Sequence, residues 1–297
     1  MRSDRPETIP RPVRVRLPGG LWPNDEAEAA LREVELRAAS DEDRYFALDL
    51  RETLSPASRA TALLARCMTG GEEATHALTI GDREALLLHL RRLTFGETIE
   101  CVLRCPAPSC EARMEMSLQI ADLLVPAYAQ VAKTHRQQAV VGAATYEIEF
   151  RLPTARDLDA VAALVAHDAQ QCAALLLQRC IMRADRDGIA CDAASLPVEA
   201  GDTVAEAMAR HDPQAELELD LSCPSCQAAF SIVFDTASFL LQEIDQAATR
   251  VLHEVHVLAS RYGWSEDEIL RIPARRRARY IELAAVAAVS ASRGRAE

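Results

Sequence analysis

Two pairs of cysteines constrain this chain more than any other feature of its sequence. The first pair is Cys105 and Cys110, the second is Cys223 and Cys226, and a proline follows the first cysteine of each pair. Apolar and polar residues alternate on both sides of each pair, a pattern typical of half-buried strands. We therefore predict that each pair lies at the tip of a two-stranded β-hairpin.

The two hairpins are predicted to be an internal repeat. When Cys110 is matched to Cys226, apolar positions of the first hairpin fall on apolar positions of the second, and the start of the following helix is shared. The matched pairs are Met114 with Phe230, Met116 with Ile232, Leu118 with Phe234, Ala121 with Ala237 and Leu124 with Leu240. Strand, tip, strand and helix recur in the same order, which indicates duplication or pseudo-symmetry.

The cysteine spacing favours a structural zinc site. Structural zinc binds four ligands in a tetrahedron, and each tip supplies two thiolates. We expect Cys105, Cys110, Cys223 and Cys226 to bind one zinc ion and to clamp the hairpins together. Good zinc knuckles usually have glycine after the second cysteine, whereas Glu111 and Gln227 occupy that position here. The alternative is that the site has lost its metal, or that the cysteines are merely small buried residues.

Other chemistries fit the cysteines less well. A redox Cys-x-x-Cys motif places its second cysteine in the first turn of a helix, but the residues after Cys226 alternate like a strand. A zinc-ribbon module for nucleic-acid binding or regulation is the competing function, although the net charge of −12 and the mixed charges near the tips disfavour nucleic acid. No phosphate loop, dinucleotide fingerprint or nucleophile elbow is present, so we predict neither an enzyme nor a small-molecule substrate.

The composition predicts an α+β protein that is mainly α. Alanine and leucine are abundant and aromatic residues make up only 4 % of the chain, which favours helices. The fold class predicted is a helical protein whose two pseudo-symmetric, Cys-tipped hairpins form a zinc-ribbon-like unit. A helical pattern is predicted from Asp25 to Met68, and residues 184–197 are predicted to be a turn-rich link. The expected segments are an extended or disordered arm (1–24), a helical segment with the first hairpin (25–125), a strand plus a helical insertion (126–213), the second hairpin with C-terminal helices (214–290) and a tail (291–297).

We expect a cytoplasmic protein of a bacterial cell. No apolar run approaches the roughly 18 residues that span a bilayer, and the polar, proline-rich N-terminus has no signal-peptide core.

A basic run and a tryptophan near the C-terminus are candidate partner-binding residues. The run lies near a predicted helix start, where the helix dipole disfavours cations, and this suggests an acidic partner surface. A solvated helical face is the alternative for the run, and a core anchor is the alternative for the tryptophan. These residues are Arg275, Arg276, Arg277, Arg279 and Trp264.

The C-terminal string HEVHVLASRYGWSEDEILRIPARRRARYIELA resembles a segment of baseplate and baseplate hub assembly proteins from contractile (T-even-type) phage tails and phage-tail-like injection systems. The shared positions are His256, Leu258, Ala259, Tyr262, Gly263, Trp264, Ser265, Glu266, Glu268, Ile269, Leu270, Arg276, Arg277 and Tyr280. The stretches GDREALLLHLRRLTFGETIECVLRCP, YEIEFRLPTARDLDAV and DPQAELELDLSCPSC are similar to the same group. The resemblance implies a non-catalytic structural or assembly factor that binds other baseplate and tail proteins, either within the tail particle or as a chaperone that leaves it.

Overall fold

The computed structural model describes residues 10–23, 26–165 and 168–293. About half of the chain is helical and the strands form small antiparallel sheets, so the fold class is α+β. The strands are β1 (Val13–Leu21), β2 (Leu31–Leu36), β3 (Thr98–Arg104), β4 (Arg113–Gln119), β5 (His135–Val141), β6 (Ala144–Phe150), β7 (Ile181–Arg186), β8 (Ile189–Cys191), β9 (Glu218–Ser222) and β10 (Ala229–Val233). The α-helices are α1 (Asp41–Asp49), α2 (Pro56–Cys67), α3 (Gly71–His76), α4 (Ile80–Phe95), α5 (Ile120–Leu123), α6 (Ala155–Val165), α7 (Ala169–Cys180), α8 (Val198–His211), α9 (Thr236–Tyr262), α10 (Glu266–Leu270) and α11 (Ala274–Arg293).

The described part of the chain begins with a β-hairpin, where sequence analysis expected an extended or disordered arm followed by helix. Strands β1 and β2 pair antiparallel, with Val15 opposite Val34. Leu17 and Leu36 are fully buried, so β1 belongs to the core, although it was expected in an extended or disordered arm. The helical prediction from Asp25 is wrong over β2, because burial there follows the period of two of a strand packed on one face. Residues 1–9 of the predicted arm, and residues 294–297 of the predicted tail, lie outside the described residues.

A buried aspartate attaches this hairpin to α4. The N-cap of α4 is Thr79, whose hydroxyl accepts a hydrogen bond from the Asp82 backbone N–H. The Asp82 carboxylate accepts hydrogen bonds of 2.8 Å from the backbone N–H groups of Gly19 and Gly20. Burial of this carboxyl raises its pKa to about 6.

The first core lies between β1–β2 and the helices α1, α2, α4 and α9. Leucines dominate it, and α9 contributes Leu240, Leu241 and Ile244 although it is distant in sequence. Helix α9, from the C-terminal half of the chain, therefore completes the core of the N-terminal half.

A four-stranded antiparallel sheet in the order β5-β6-β7-β8 forms the second core with α8. Tyr146, Ile148 and Phe150 on β6 pack against Ala200 and Val204 on α8. The predicted turn-rich link after α7 is wrong over residues 184–186, which belong to β7, and over Ile189–Cys191, which is β8. The edge of β6 supplies hydrogen-bond partners for β7 that a local sequence pattern does not reveal.

Helices α10 and α11 pack beside α9. Gly263 ends α9 in the left-handed conformation (φ +70°), and Ser265 and Glu268 form a capping box at the start of α10. Tyr262 stacks on Trp264 at 4.7 Å between ring centroids, and Tyr280 contacts Trp264 edge-on at 5.1 Å. In the part of the chain that the structure describes, no helix has the length and apolar character needed to span a membrane.

Candidate metal centre

Both cysteine pairs lie at the tips of antiparallel hairpins, as the alternation predicts. Strand β3 pairs with β4, with Leu103 opposite Met114, and β9 pairs with β10, with Leu221 opposite Phe230. In each hairpin the paired apolar residues share one face, and the exposed face is mostly polar, with Val102 and Val233 as apolar exceptions. The sequence therefore presents each cysteine pair at the end of a short amphipathic ribbon.

Backbone hydrogen bonds close the two tips. The Cys105 N–H donates to the Ala112 carbonyl at 2.9 Å, and the Cys223 N–H donates to the Ala228 carbonyl at 3.0 Å. The Gln227 N–H donates back to the Cys223 carbonyl at 2.8 Å, which makes the second tip a tight turn. These bonds hold both cysteines of a tip on the same side of the turn.

The residue after the second cysteine of each tip has a left-handed backbone. Glu111 has φ +47° and Gln227 has φ +61°. These are the two positions at which sequence analysis noted a missing glycine. An L-residue with positive φ is strained by roughly 1–2 kcal/mol. The tips therefore hold Glu111 and Gln227 in a backbone conformation that glycine would adopt with less strain.

The four thiols converge on one point. The Sγ atoms of all four cysteines lie within 4.8 Å of one another. Cys105 Sγ lies 3.6 Å from Cys226 Sγ, and Cys110 Sγ lies 3.8 Å from Cys223 Sγ. Zinc–sulfur bonds of about 2.3 Å in a tetrahedron require sulfur atoms about 3.8 Å apart. These two distances agree with a tetrahedral four-thiolate site, and the four cysteines lie close enough together to hold a metal ion.

The surroundings shield one side of the cluster and leave the other open. Cys105 and Cys223 are buried, Cys110 is half-buried and Cys226 is exposed. Leu103, Met114 and Phe230 pack around the sulfurs, together with Ala107 and Ala112. Below them, apolar residues of both hairpins and of α4 and α5 form a further cluster that keeps the ribbons face to face.

The electrostatic environment differs between the two tips. Backbone N–H groups of Cys226 and Ser225 donate to the Cys223 sulfur and lower the pKa of that thiol to about 6. At Cys105 the Ala107 N–H acts in the same direction, but burial and contacts with the other three thiols outweigh it and raise the pKa to about 12. Sequence analysis did not identify these backbone donors, although the short Cys-Pro-x-Cys spacing is the signal that could have indicated them.

The remaining cysteines do not join the cluster. Cys67 and Cys180 are buried at the ends of helices, where burial raises the pKa of both thiols, to about 12 and about 11 respectively. Cys101 is half-buried on β3, and Cys172 and Cys191 are also half-buried. None of the five belongs to a group of metal-ligating side chains among the described residues.

The predicted partner-binding residues lie together on α11 and the preceding corner. Arg275, Arg276 and Arg279 are exposed, and Trp264 is half-buried. Arg277 differs from them because it is 2 % exposed, and its guanidinium pairs with Glu254 (2.8 Å) and Asp41 (3.2 Å). It therefore joins α11 to α9 and α1, and only its three neighbours face outward.

Comparison with known proteins assigns the family. A family model described as T4 bacteriophage base plate protein matches residues 51–241. The match includes both hairpins and all four clustered cysteines, whereas the C-terminal string that carried much of the resemblance lies beyond it. No curated protein and no solved structure matches the chain. Because the matched residues cover more than half of its length, the chain belongs to the T4 bacteriophage base plate protein family.

Proposed function

We propose that this chain is a non-catalytic structural or assembly component of the baseplate of a contractile phage tail or phage-tail-like injection system. In this role it binds other baseplate and tail proteins, and it is incorporated in the tail particle or helps to assemble it. The observation that carries the proposal is the family match over residues 51–241.

The four-cysteine cluster binds one zinc ion in this proposal. Two observations support it: the sulfur spacing expected for a tetrahedron, and the strained backbone after each second cysteine. Four thiolates fill a tetrahedral site and leave no position for a water molecule, so the role of the metal is structural. The ion joins ribbons separated by more than a hundred residues and supplies folding free energy directly, because the unfolded chain has no preformed site.

Native mass spectrometry of the full chain tests this part of the proposal. We expect one zinc ion per chain, and none when Cys223 and Cys226 are both replaced by serine. The double variant Cys172→Ser/Cys191→Ser is the matched control, because these two half-buried thiols lie outside the cluster, and it should retain its zinc. A wild-type chain that carries no metal after purification with zinc, and that unfolds at the same temperature with and without a chelator, would contradict the proposal.

Affinity purification from the native producer tests the role as a whole. We expect baseplate, hub or sheath proteins to co-purify with the tagged chain. Arg275→Glu/Arg276→Glu/Arg279→Glu, which changes only exposed members of the basic run, should weaken this recovery, whereas Arg136→Glu on the exposed surface of β5 should not. Recovery of nucleic acid without tail proteins would support the zinc-ribbon alternative instead.

A further inference from the structure

The two halves of the chain share more than their hairpins. The first half has the order β1, β2, α1, α2, α4, β3 and β4, with α3 inserted between α2 and α4. The second half has the order β5, β6, α6, α7, α8, β9 and β10, with β7 and β8 inserted between α7 and α8. Corresponding elements also contact each other in both halves: α4 packs on β1 and β2 as α8 packs on β5 and β6. The chain is therefore built from two modules of one design.

A buried aspartate occupies the same place in both modules. Asp43 in α1 and Asp157 in α6 are at most 1 % exposed, and each accepts hydrogen bonds from one arginine after the preceding strand and one near the end of the following helix. A threonine or serine three residues earlier bonds to each carboxylate. The distances are Arg37–Asp43 2.5 Å, Arg66–Asp43 2.8 Å, Arg151–Asp157 2.6 Å and Arg179–Asp157 3.0 Å. Two networks this similar would not arise from composition alone.

The sequences also align without a gap between the modules. Residues 78–106 can be laid on residues 196–224, so that Leu78 matches Leu196, Leu86 matches Val204, Ile99 matches Leu217 and the Cys-Pro pairs coincide. Leu78 directly precedes Thr79, the N-cap of α4, and Leu196 directly precedes Pro197, the N-cap of α8. This alignment assigns a counterpart in the second module to each residue of α4.

Helix α9 covers the first module. Arg59 on α2 pairs with Asp245 of α9, and Arg91 on α4 pairs with Glu243 of α9 at 2.7 Å. Both arginines are 5 % exposed, and Ala60, Leu63 and Leu87 beside them are completely buried.

Among the residues that the structure describes, none covers the corresponding face of the second module in this way. Helix α5 follows the first hairpin as α9 follows the second, but it has only four residues. Helix α9 contacts α1, α2 and α4 rather than α7 and α8. Matching Arg66 with Arg179, which hold equivalent places in the two aspartate networks, puts Ala173 on Ala60, and the alignment of α4 with α8 puts Ala205 on Leu87. Both Ala173 and Ala205 are exposed. Ala173 lies two turns before Cys180 on the same side of α7, and Cys180 is completely buried. The inner side of α7 is therefore open at its N-terminal half.

The residues of this uncovered face are suited to binding an α-helix. Its floor consists of small or apolar side chains that permit close backbone approach, and acidic side chains on α8 border it. The floor residues are Cys172, Ala173, Leu176, Ala205 and Ala209, and the exposed acidic residues are Glu199, Asp202 and Glu206. A helix that covered this face would need an apolar stripe with basic residues beside it.

We propose that the uncovered face of α7 and α8 binds an amphipathic, basic-flanked α-helix of another baseplate protein, in the place that α9 occupies on the first module. This inference rests on the proposed function and names the surface through which the chain binds its partner. Helix α9 completes the core of the first module from within the chain, and the partner helix completes the core of the second module in the same way.

Site-specific photo-cross-linking in the producing cells tests the proposal. Benzoylphenylalanine is introduced at Ala173 or Ala205, with Gln178 on the exposed side of α7 as the control position. We expect cross-links from 173 and 205, but not from 178, to one amphipathic helical segment of another tail protein, located by mass spectrometry of the cross-linked peptide. Ala173→Arg should lower the amount of this chain in assembled particles at least tenfold, whereas Gln178→Arg should leave it unchanged, with thermal unfolding midpoints of the two variants within a few degrees.

The outcomes separate this inference from the proposed function. Cross-links to a second copy of this chain, to a non-helical segment, or to no protein while the chain is recovered with tail proteins would overturn the helix-binding face and leave the baseplate role intact. If no tail protein is recovered from wild type by any route, the baseplate role itself fails, and the helix-binding face fails with it.

Discussion

Replacing the residue after each second cysteine with glycine should stabilise the protein. Glu111 and Gln227 both have positive φ, which costs an L-residue roughly 1–2 kcal/mol and costs glycine almost nothing. Glycine loses about 0.5–1 kcal/mol more backbone entropy on folding. The difference predicts that Glu111→Gly and Gln227→Gly each raise the free energy of unfolding by about 0.5–1 kcal/mol.

The chain contains a matched control for this prediction. Glu115 follows Glu111 by four residues and lies on β4, where it is exposed and has extended backbone. Glu115→Gly removes the same side chain without relieving strain, so it should lower the free energy of unfolding by about 0.5–1 kcal/mol. The two glycine variants of the same residue type therefore move stability in opposite directions.

Thermal unfolding followed by circular dichroism, with zinc in excess, measures the effect. For a chain of this size 1 kcal/mol corresponds to about 2 °C, so the double variant Glu111→Gly/Gln227→Gly should unfold about 2–4 °C above wild type. If Glu111→Gly lowers the midpoint as much as Glu115→Gly does, the backbone at the tips is not strained and the reasoning is refuted.

Three further substitutions test the packing and the buried charges. Gly81→Ala should lower the free energy of unfolding by about 2 kcal/mol or more, measured by urea denaturation, because its Cβ would lie 1.9 Å from Asp212 Oδ1; an unchanged midpoint would contradict this contact. Leu240→Ala on α9 should cost about 2–5 kcal/mol, because the side chain is completely buried in the first core, whereas Leu252→Ala on the exposed side of α9 should cost less than half as much. Hydrogen bonds from Arg151 and Thr154 outweigh burial and lower the pKa of Asp157 to about 2, so its contribution to stability is complete above about pH 4 and is lost as the pH falls towards 2. Asp157→Asn should remove this part of the acid sensitivity in denaturation curves recorded from pH 5 to pH 2.

The local features of the candidate site were predictable from the residues. Alternation around the cysteines predicted both hairpins, and the paired registers confirm the facing residues. The capping box that Ser265 and Glu268 form at α10 is of the same local kind, because a capping box depends only on neighbouring residues. Zinc itself remains a prediction, as do the partner-binding roles of Trp264 and the exposed arginines.

Other features depended on residues that are distant in sequence. Strand β2 contains LREVEL, which also fits a helix, and pairing with β1 decided its conformation. Strand β7 likewise depended on the free edge of β6. Arg277, predicted as a partner-binding residue, is buried because Glu254 and Asp41 lie beside it in the folded chain.

The sequence by itself determined the two cysteine-tipped ribbons, because alternation and tight turns are local properties of the backbone. The sequence predicted that the four sulfurs meet, and the tertiary structure brings them together. Only the tertiary structure decided that one long helix covers the first module and that, among the described residues, the second module is left open. Both outcomes follow from where apolar surface is buried between segments more than a hundred residues apart, and that burial depends on the whole fold.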